Sequence, residues 1–174
     1  MMGKFLAFLI LAAAVIGGGA MYYLQVYGYY DEIAASGPAD VQVVIAASGQ
    51  SVPLPHSDFQ AIDSDSSPIR YRACFTTDLT AAELAQTYQP YTGAVPLLAP
   101  KWFDCFDARE IGAAIEDGRA LALMGTPDIR YGIDRIIAVL PDGRGFVWHQ
   151  INRCGEVVFD GQPAPADCPP PPAN

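Results

Sequence analysis

Residues 5–24 are twenty consecutive residues without a charged side chain, and nothing else in the chain limits its fold so strongly. At about 1.5 Å of rise per residue, a helix of that length spans the roughly 30 Å hydrocarbon layer of a bilayer. A transmembrane helix is therefore expected over residues 5–24. Lys4 is the only charged residue before the run, and Asp31 and Glu32 follow it. That bias makes residues 1–4 a cytoplasmic stub and places everything after the span on the exported side. Tyr22, Tyr23, Tyr27, Tyr29 and Tyr30 crowd the far end, where rings with a polar tip favour the headgroup level. A cleaved signal peptide competes with this signal-anchor reading, because Gly18 and Ala20 are small residues at peptidase spacing. Against it, the apolar run continues through Leu24. Within the span, Ala13 with Gly17 and Ala14 with Gly18 are small residues four apart, a spacing that lets a second helix approach closely.

The chain has 174 residues, of which 51% are hydrophobic and 17% charged, enough for one small domain with a core beyond the span. Without Lys4, nine basic residues stand against nineteen acidic ones. An acidic domain argues against binding nucleic acid or anionic headgroups, both of which need clusters of Lys and Arg. Solubility alone accounts for such a charge, and a basic exported partner is the more specific reading. Cys74, Cys105, Cys154 and Cys168 are an even set on the exported side, so disulfides are expected. Three connectivities are open, and proximity favours Cys74 with Cys105 and Cys154 with Cys168. No CxxC spacing of a redox or haem site occurs.

Residues 25–40, with Gly28, Gly37 and Pro38, read as a juxtamembrane linker. Strands are expected over residues 41–46, 59–62 and 69–77, the last with Ile69, Tyr71, Ala73 and Phe75 alternating with Arg70, Arg72 and Cys74. Thr80 and Glu83 form a capping box ahead of Leu84, Ala85 and Tyr88. Asp107 and Glu110 repeat the device ahead of Ile111, Ala114 and Ile115, with Gly118 as the C-terminal cap. Between them Trp102, Phe103 and Phe106 surround Cys105. A strand over residues 119–124 precedes a hairpin of residues 135–140 and 145–151 across Pro141-Asp142-Gly143-Arg144. A last strand is expected over residues 156–159, then a proline-rich tail over residues 163–174 tied back at Cys168. The element order implies an α+β domain over residues 41–162: a mainly antiparallel sheet with two short helices on one face.

Chemistry-bearing residues are sparse. In a period-two strand His149 shares a face with Val147 and Ile151 and opposes Trp148 and Gln150. A hydrogen-bonded structural histidine is expected, since no nucleophile or orienting carboxylate can be assigned to it. His56, in a proline-flanked loop, reads as solvated. Residues 63–67 open like a calcium loop, but Pro68 stands where the turn needs glycine and Cys74 where a bidentate Glu belongs. Arg130, Arg135, Arg144 and Arg153 are read as pairing within the fold. No phosphate-binding glycine loop, nucleophile elbow or H-E-x-x-H is present. No cofactor, metal or catalytic residue is assigned, and the chain is not expected to be an enzyme.

Residues 66–75 (SSPIRYRACF), residues 102–107 (WFDCFD), residues 131–135 (YGIDR) and residues 148–155 (WHQINRCG) together resemble an uncharacterised family of alphaproteobacterial single-span membrane proteins, a domain of unknown function. The resemblance implies the single-span exported architecture and no activity. The expected function is that of a membrane-anchored accessory or assembly protein acting by contact, with a membrane-protein partner or self-association through the helix. A domain that binds or senses a small ligand near Trp148, Arg135 and Arg153 is the alternative. An unrecognised hydrolase or thiol enzyme using His149 or a free cysteine is the third.

Overall fold

The structure, a computed structural model, describes residues 2–172. Residue 1 of the expected stub and residues 173–174 of the tail lie outside the described residues. Helix α1 (Met2–Tyr23) ends in one π-helical turn, Leu24–Gly28. The whole stretch is long and apolar enough to cross a membrane, and α1 buries no residue against the rest of the chain. Apart from Lys4, α1 carries no charged side chain.

In chain order there follow β1 (Asp31–Ile33), β2 (Gln42–Val44), β3 (Ser51–Pro53), β4 (Ser57–Asp63), β5 (Arg72–Thr76), α2 (Ala81–Thr87), α3 (Ala108–Glu116), β6 (Leu121–Arg130), β7 (Ile133–Val139), β8 (Arg144–Ile151) and α4 (Arg153–Phe159). Six strands form one antiparallel sheet in the order β1-β4-β5-β8-β7-β6, and β2 and β3 pair separately. The segment after α2 joins the two sheets. Tyr88 bridges Ile45 and Pro90 bridges Leu123, while Gln89 donates to the Val44 carbonyl at 2.8 Å and accepts from Met124 N at 2.9 Å. This is an α+β domain with a mainly antiparallel sheet.

Both faces of the large sheet are covered, which corrects the expectation of helices on one face. Ile62, Cys74, Ile136, Ala138, Phe146 and Trp148 face α3 and the aromatic segment around Phe103 and Phe106. Ala61, Ala73, Phe75, Ile137, Val139 and Val147 face Val43 of β2, Leu54 and Leu84 of α2. A sheet buried on both faces shows no hydrophobic-in, polar-out alternation. The pattern over residues 69–77 is misleading for the same reason: Arg72 is 3% exposed rather than on an open face. Its guanidinium donates to the carbonyls of Ile69 (2.9 Å), Tyr71 (2.6 Å), Leu97 (2.9 Å) and Leu98 (3.1 Å), and lies 5.7 Å from the Phe106 ring centroid.

Four further expectations need correction. Residues 25–40 are not a free linker, because β1 pairs with β4 as an edge of the sheet. The strand expected over residues 119–124 runs on to Arg130 through two register shifts. Residues 156–159 end a third short helix, α4, instead of forming a strand. Val157 and Val158 favour a strand by propensity, but the Asn152 side chain caps the helix by accepting from Gly155 N at 3.0 Å. Finally, Asp107 caps α3 by accepting from the Arg109 and Glu110 amides, but Glu110 does not close a box; it pairs with Arg144 at 2.7 Å.

Other local signals hold. Thr80 and Glu83 form the reciprocal capping box of α2, and Gly118 ends α3 at φ +69°. The hairpin of β7 and β8 turns over Pro141-Asp142-Gly143. Cys74 is bonded to Cys105 and Cys154 to Cys168. Loops of 31 and 14 residues contribute roughly 3–4 kcal/mol each in the chain-entropy picture.

The start of α4 crosses the β6–β7 turn so closely that neither chain has room for a side chain. A Cβ on Gly155 would lie 2.2 Å from the Gly132 carbonyl oxygen, both of them backbone-held. Gly155→Ala is expected to destabilise the domain by about 1–3 kcal/mol. Gly112→Ala on α3, whose nearest neighbour would be Pro96 at 3.6 Å, is expected to be neutral or stabilising by up to ~1 kcal/mol. Thermal denaturation of the two variants checks the contrast, and equal melting temperatures would contradict the close crossing.

Candidate functional site

The end of the sheet nearest α1 gathers the polar groups with the most specific partners, and the consecutive residues Arg70, Tyr71 and Arg72 organise it. The last carbonyls of any helix lack intrahelical donors. At the end of α1, Trp102 Nε1 donates to the Val26 carbonyl at 2.6 Å, and Arg70 Nη2 donates to Gln25 Oε1 at 2.9 Å. The Trp102 ring stacks on Tyr27 with centroids 6.3 Å apart and meets Tyr30 edge-on at 6.1 Å, while the Arg70 guanidinium lies 5.5 Å from the Tyr30 centroid. Two of the tyrosines expected to form an interfacial belt thus pack on the domain. Trp102 is three residues before Cys105, whose bond to Cys74 anchors it on β5. This is a clasp joining the helix end to the core.

Tyr71 points to the other face of the sheet. Its ring stacks on His149 at 4.8 Å, and the Arg135 guanidinium covers it at 4.2 Å. His149 is 6% exposed. Its Nδ1 lies 2.7 Å from the Pro68 carbonyl and its Nε2 3.0 Å from Arg135 Nε. A carbonyl only accepts and a guanidinium only donates, so the partners assign the neutral Nδ1–H tautomer. Burial pushes the imidazole down to about 4, with the Arg135 charge acting in the same direction and the Pro68 hydrogen bond opposing. Burial likewise raises the Tyr71 phenol and the Asp63 carboxyl. The expectation of a hydrogen-bonded, structural histidine agrees with this geometry.

The other residues singled out in the sequence are dispersed. Trp148 is fully buried between Phe106 and the sheet, so it forms no wall of a ligand pocket. Arg153 pairs with Asp167 of the tail, and Arg144 with Glu110 and Asp142. Arg130 is exposed and makes no ion pair among the described residues. His56 is half-buried rather than solvated, with Nδ1 donating to the Leu54 carbonyl at 2.8 Å and its ring edge-on to Phe59 and Phe75. Ala13, Gly17, Ala14 and Gly18 are exposed along α1. All four cysteines are disulfide-bonded.

One polar cluster has no counterpart in the sequence reading. Asp134 is buried, its Oδ1 accepting from Asp128 N (2.9 Å) and Asn152 Nδ2 (3.0 Å) and its Oδ2 from the Tyr91 hydroxyl (3.2 Å). Asp128 holds a positive φ of 44° and accepts from Gly132 N. The cluster sets the β6–β7 turn against the start of α4. Asn152 ahead of a helix was its only local signal; the carboxylate is buried by bringing Asn152 and Tyr91, 18 and 43 residues away, onto the β6–β7 turn.

Over residues 41–169 the chain matches the family described as "Family of unknown function (DUF6446)", and it belongs to that family. No curated protein and no solved structure matches it. The matched span includes both disulfides, Arg70-Tyr71-Arg72 and His149, and starts beyond the helical half of the clasp.

The buried His149 carries a pH dependence with a defined sign. The unfolded chain takes up its proton near a pH of about 6.5, before the folded protein does. Stability from this residue is therefore present above that value and is lost as the pH falls toward the folded-state value of about 4. Across this window the wild-type protein is expected to lose up to ~1.4 kcal/mol per pH unit through His149. Urea titrations at a series of pH values should show a shallower decline for His149→Gln. Identical slopes would mean that His149 is not held neutral in the fold.

Proposed function

We propose that this member of a family of unknown function is a single-span accessory or assembly protein of an alphaproteobacterial inner membrane, acting by contact with a membrane complex. In this reading the N-terminus is cytoplasmic, the span is a retained signal anchor, and the disulfide-stapled domain is periplasmic. The observation that carries it is the clasp. Trp102 and Arg70 hold the end of α1 through Val26 and Gln25, at 2.6 and 2.9 Å, so the helix and the domain keep a defined mutual orientation. A tether for an independent domain needs no such joint, whereas a protein that engages a complex both in the bilayer and above it does.

In-cell crosslinking of the tagged, full-length protein, followed by mild solubilisation and mass spectrometry, is expected to enrich a membrane-protein partner in stoichiometric amount. Monomer alone on blue-native gels, with no enriched partner, would overturn the reading. The clasp has its own signature. Trp102→Ala is expected to leave the domain folded, to speed proteolysis within residues 25–40, and to lower partner recovery. Trp102→Phe keeps the ring stacking and loses only the Val26 hydrogen bond, worth about 0.5–1.5 kcal/mol, and should be milder in both assays. Unchanged cleavage rates in both variants would show that the joint does not hold the segment.

A further inference from the structure

β1 is the outer strand of the large sheet and pairs on one side only, with β4. All three of its residues are exposed, Ile33 at 41% among them. Such an edge presents unpaired backbone donors and acceptors, and native proteins normally block it. Here a cleft of about 320 Å³ opens beside it, lined by Ile33 and Phe59 together with Glu32, Trp102, Phe103 and Asp104. Asp31, Glu32 and Asp104 make no ion pair among the described residues. Asp31 follows Gly28 by three residues, so the edge starts within about 11 Å of the end of the helix.

We propose that the open edge of β1 accepts an extended segment of a partner protein, carrying alternate basic and apolar side chains, at the membrane surface. The proposal rests on the contact reading above and names the chemistry of the contact. Backbone pairing to β1 supplies the strand addition; the apolar side chains fall on the Ile33 face, against Ile33 and Phe59, and the basic ones fall on the opposite face, where they meet Glu32 and Asp104. The carboxylates select the occupant. A second copy of this chain, pairing edge to edge, would bring Asp31 and Glu32 against their own counterparts, which is unfavourable. The acidic domain as a whole draws in a cationic segment and repels an anionic one.

The test uses the full-length protein in phosphatidylcholine nanodiscs and a short fluorescent peptide of alternating lysine and valine, read by anisotropy. Controls are the same peptide with alternate backbone nitrogens methylated, which cannot pair as a strand, and a glutamate–valine peptide. The lysine–valine peptide is expected to bind and both controls to fail. The variant Glu32→Lys/Asp104→Lys should weaken binding about tenfold. The charge-matched variant Glu116→Lys/Asp160→Lys, away from the edge, should change it about twofold or less. Equal binding of the methylated peptide, equal effects of the two variants, or no binding would each overturn the proposal.

A photo-crosslinker placed at Glu32 or at Ala13 in cells separates this proposal from the broader one. Adducts at Glu32 support the edge. Adducts at Ala13 alone overturn the edge and leave the contact reading standing, and adducts at neither position overturn both.

Discussion

A buried guanidinium without a carboxylate partner holds this domain together. Residues 92–107 lie in neither helix nor strand, yet they cover one face of the sheet with Trp102, Phe103 and Phe106. An irregular segment in that position leaves backbone carbonyls without a ladder, and each buried carbonyl needs a donor. Arg72 supplies donors to Leu97 and Leu98, and closes its own turn through Ile69 and Tyr71. Burial lowers its pKa to about 10, still well above neutrality, so the charge persists. Carbonyl dipoles and the Phe106 ring face stand in for an anion. Gln150 repeats the device at the start of the segment, accepting from Val95 N and donating to the Gly93 carbonyl.

With that segment fixed, three consecutive residues distribute the architecture. Arg70 reaches the end of α1, Tyr71 stacks with His149 and Arg135 on one face, and Arg72 ties down the cover of the other. The disulfide from Cys74 to Cys105 adds a covalent link two residues further along β5. Helix end, two cores and covering segment therefore meet within a few residues of one central strand. Displacement of the helix end is resisted by Arg70, which belongs to this hub, and by Trp102, which is anchored to β5 through the bond of Cys105 to Cys74.

What the sequence made legible was local. The Thr80 box, the Gly118 cap, the Pro141-Asp142-Gly143 turn and the near-neighbour pairing of cysteines depend on residues close in the chain, so their physics is visible in the letters. β2, β4, β5, β6, β7 and β8 were found where β-branched and aromatic residues cluster, whereas β1 and β3 were not. What failed depended on distant partners. Arg72 looks solvent-facing until residues 97–98 are brought to it, and Asp31–Ile33 looks like linker until β4 lies beside it. Val157 and Val158 carry strand propensity, which the Asn152 cap and the Gly132–Gly155 crossing override. The clasp was half visible: the tyrosines and Trp102 were each noticed, but not that Tyr27 and Tyr30 meet Trp102 across more than 70 residues of chain.

The disulfides join the first cysteine to the second and the third to the fourth. The two loops neither interleave nor enclose one another, so Cys74 and Cys105, made before Cys154, can be joined without it. Pairing in order of synthesis then yields the native connectivity, with no earlier bridge to be reshuffled. The second bridge ties the proline-rich segment back to the start of α4 and depends on no residue of the first.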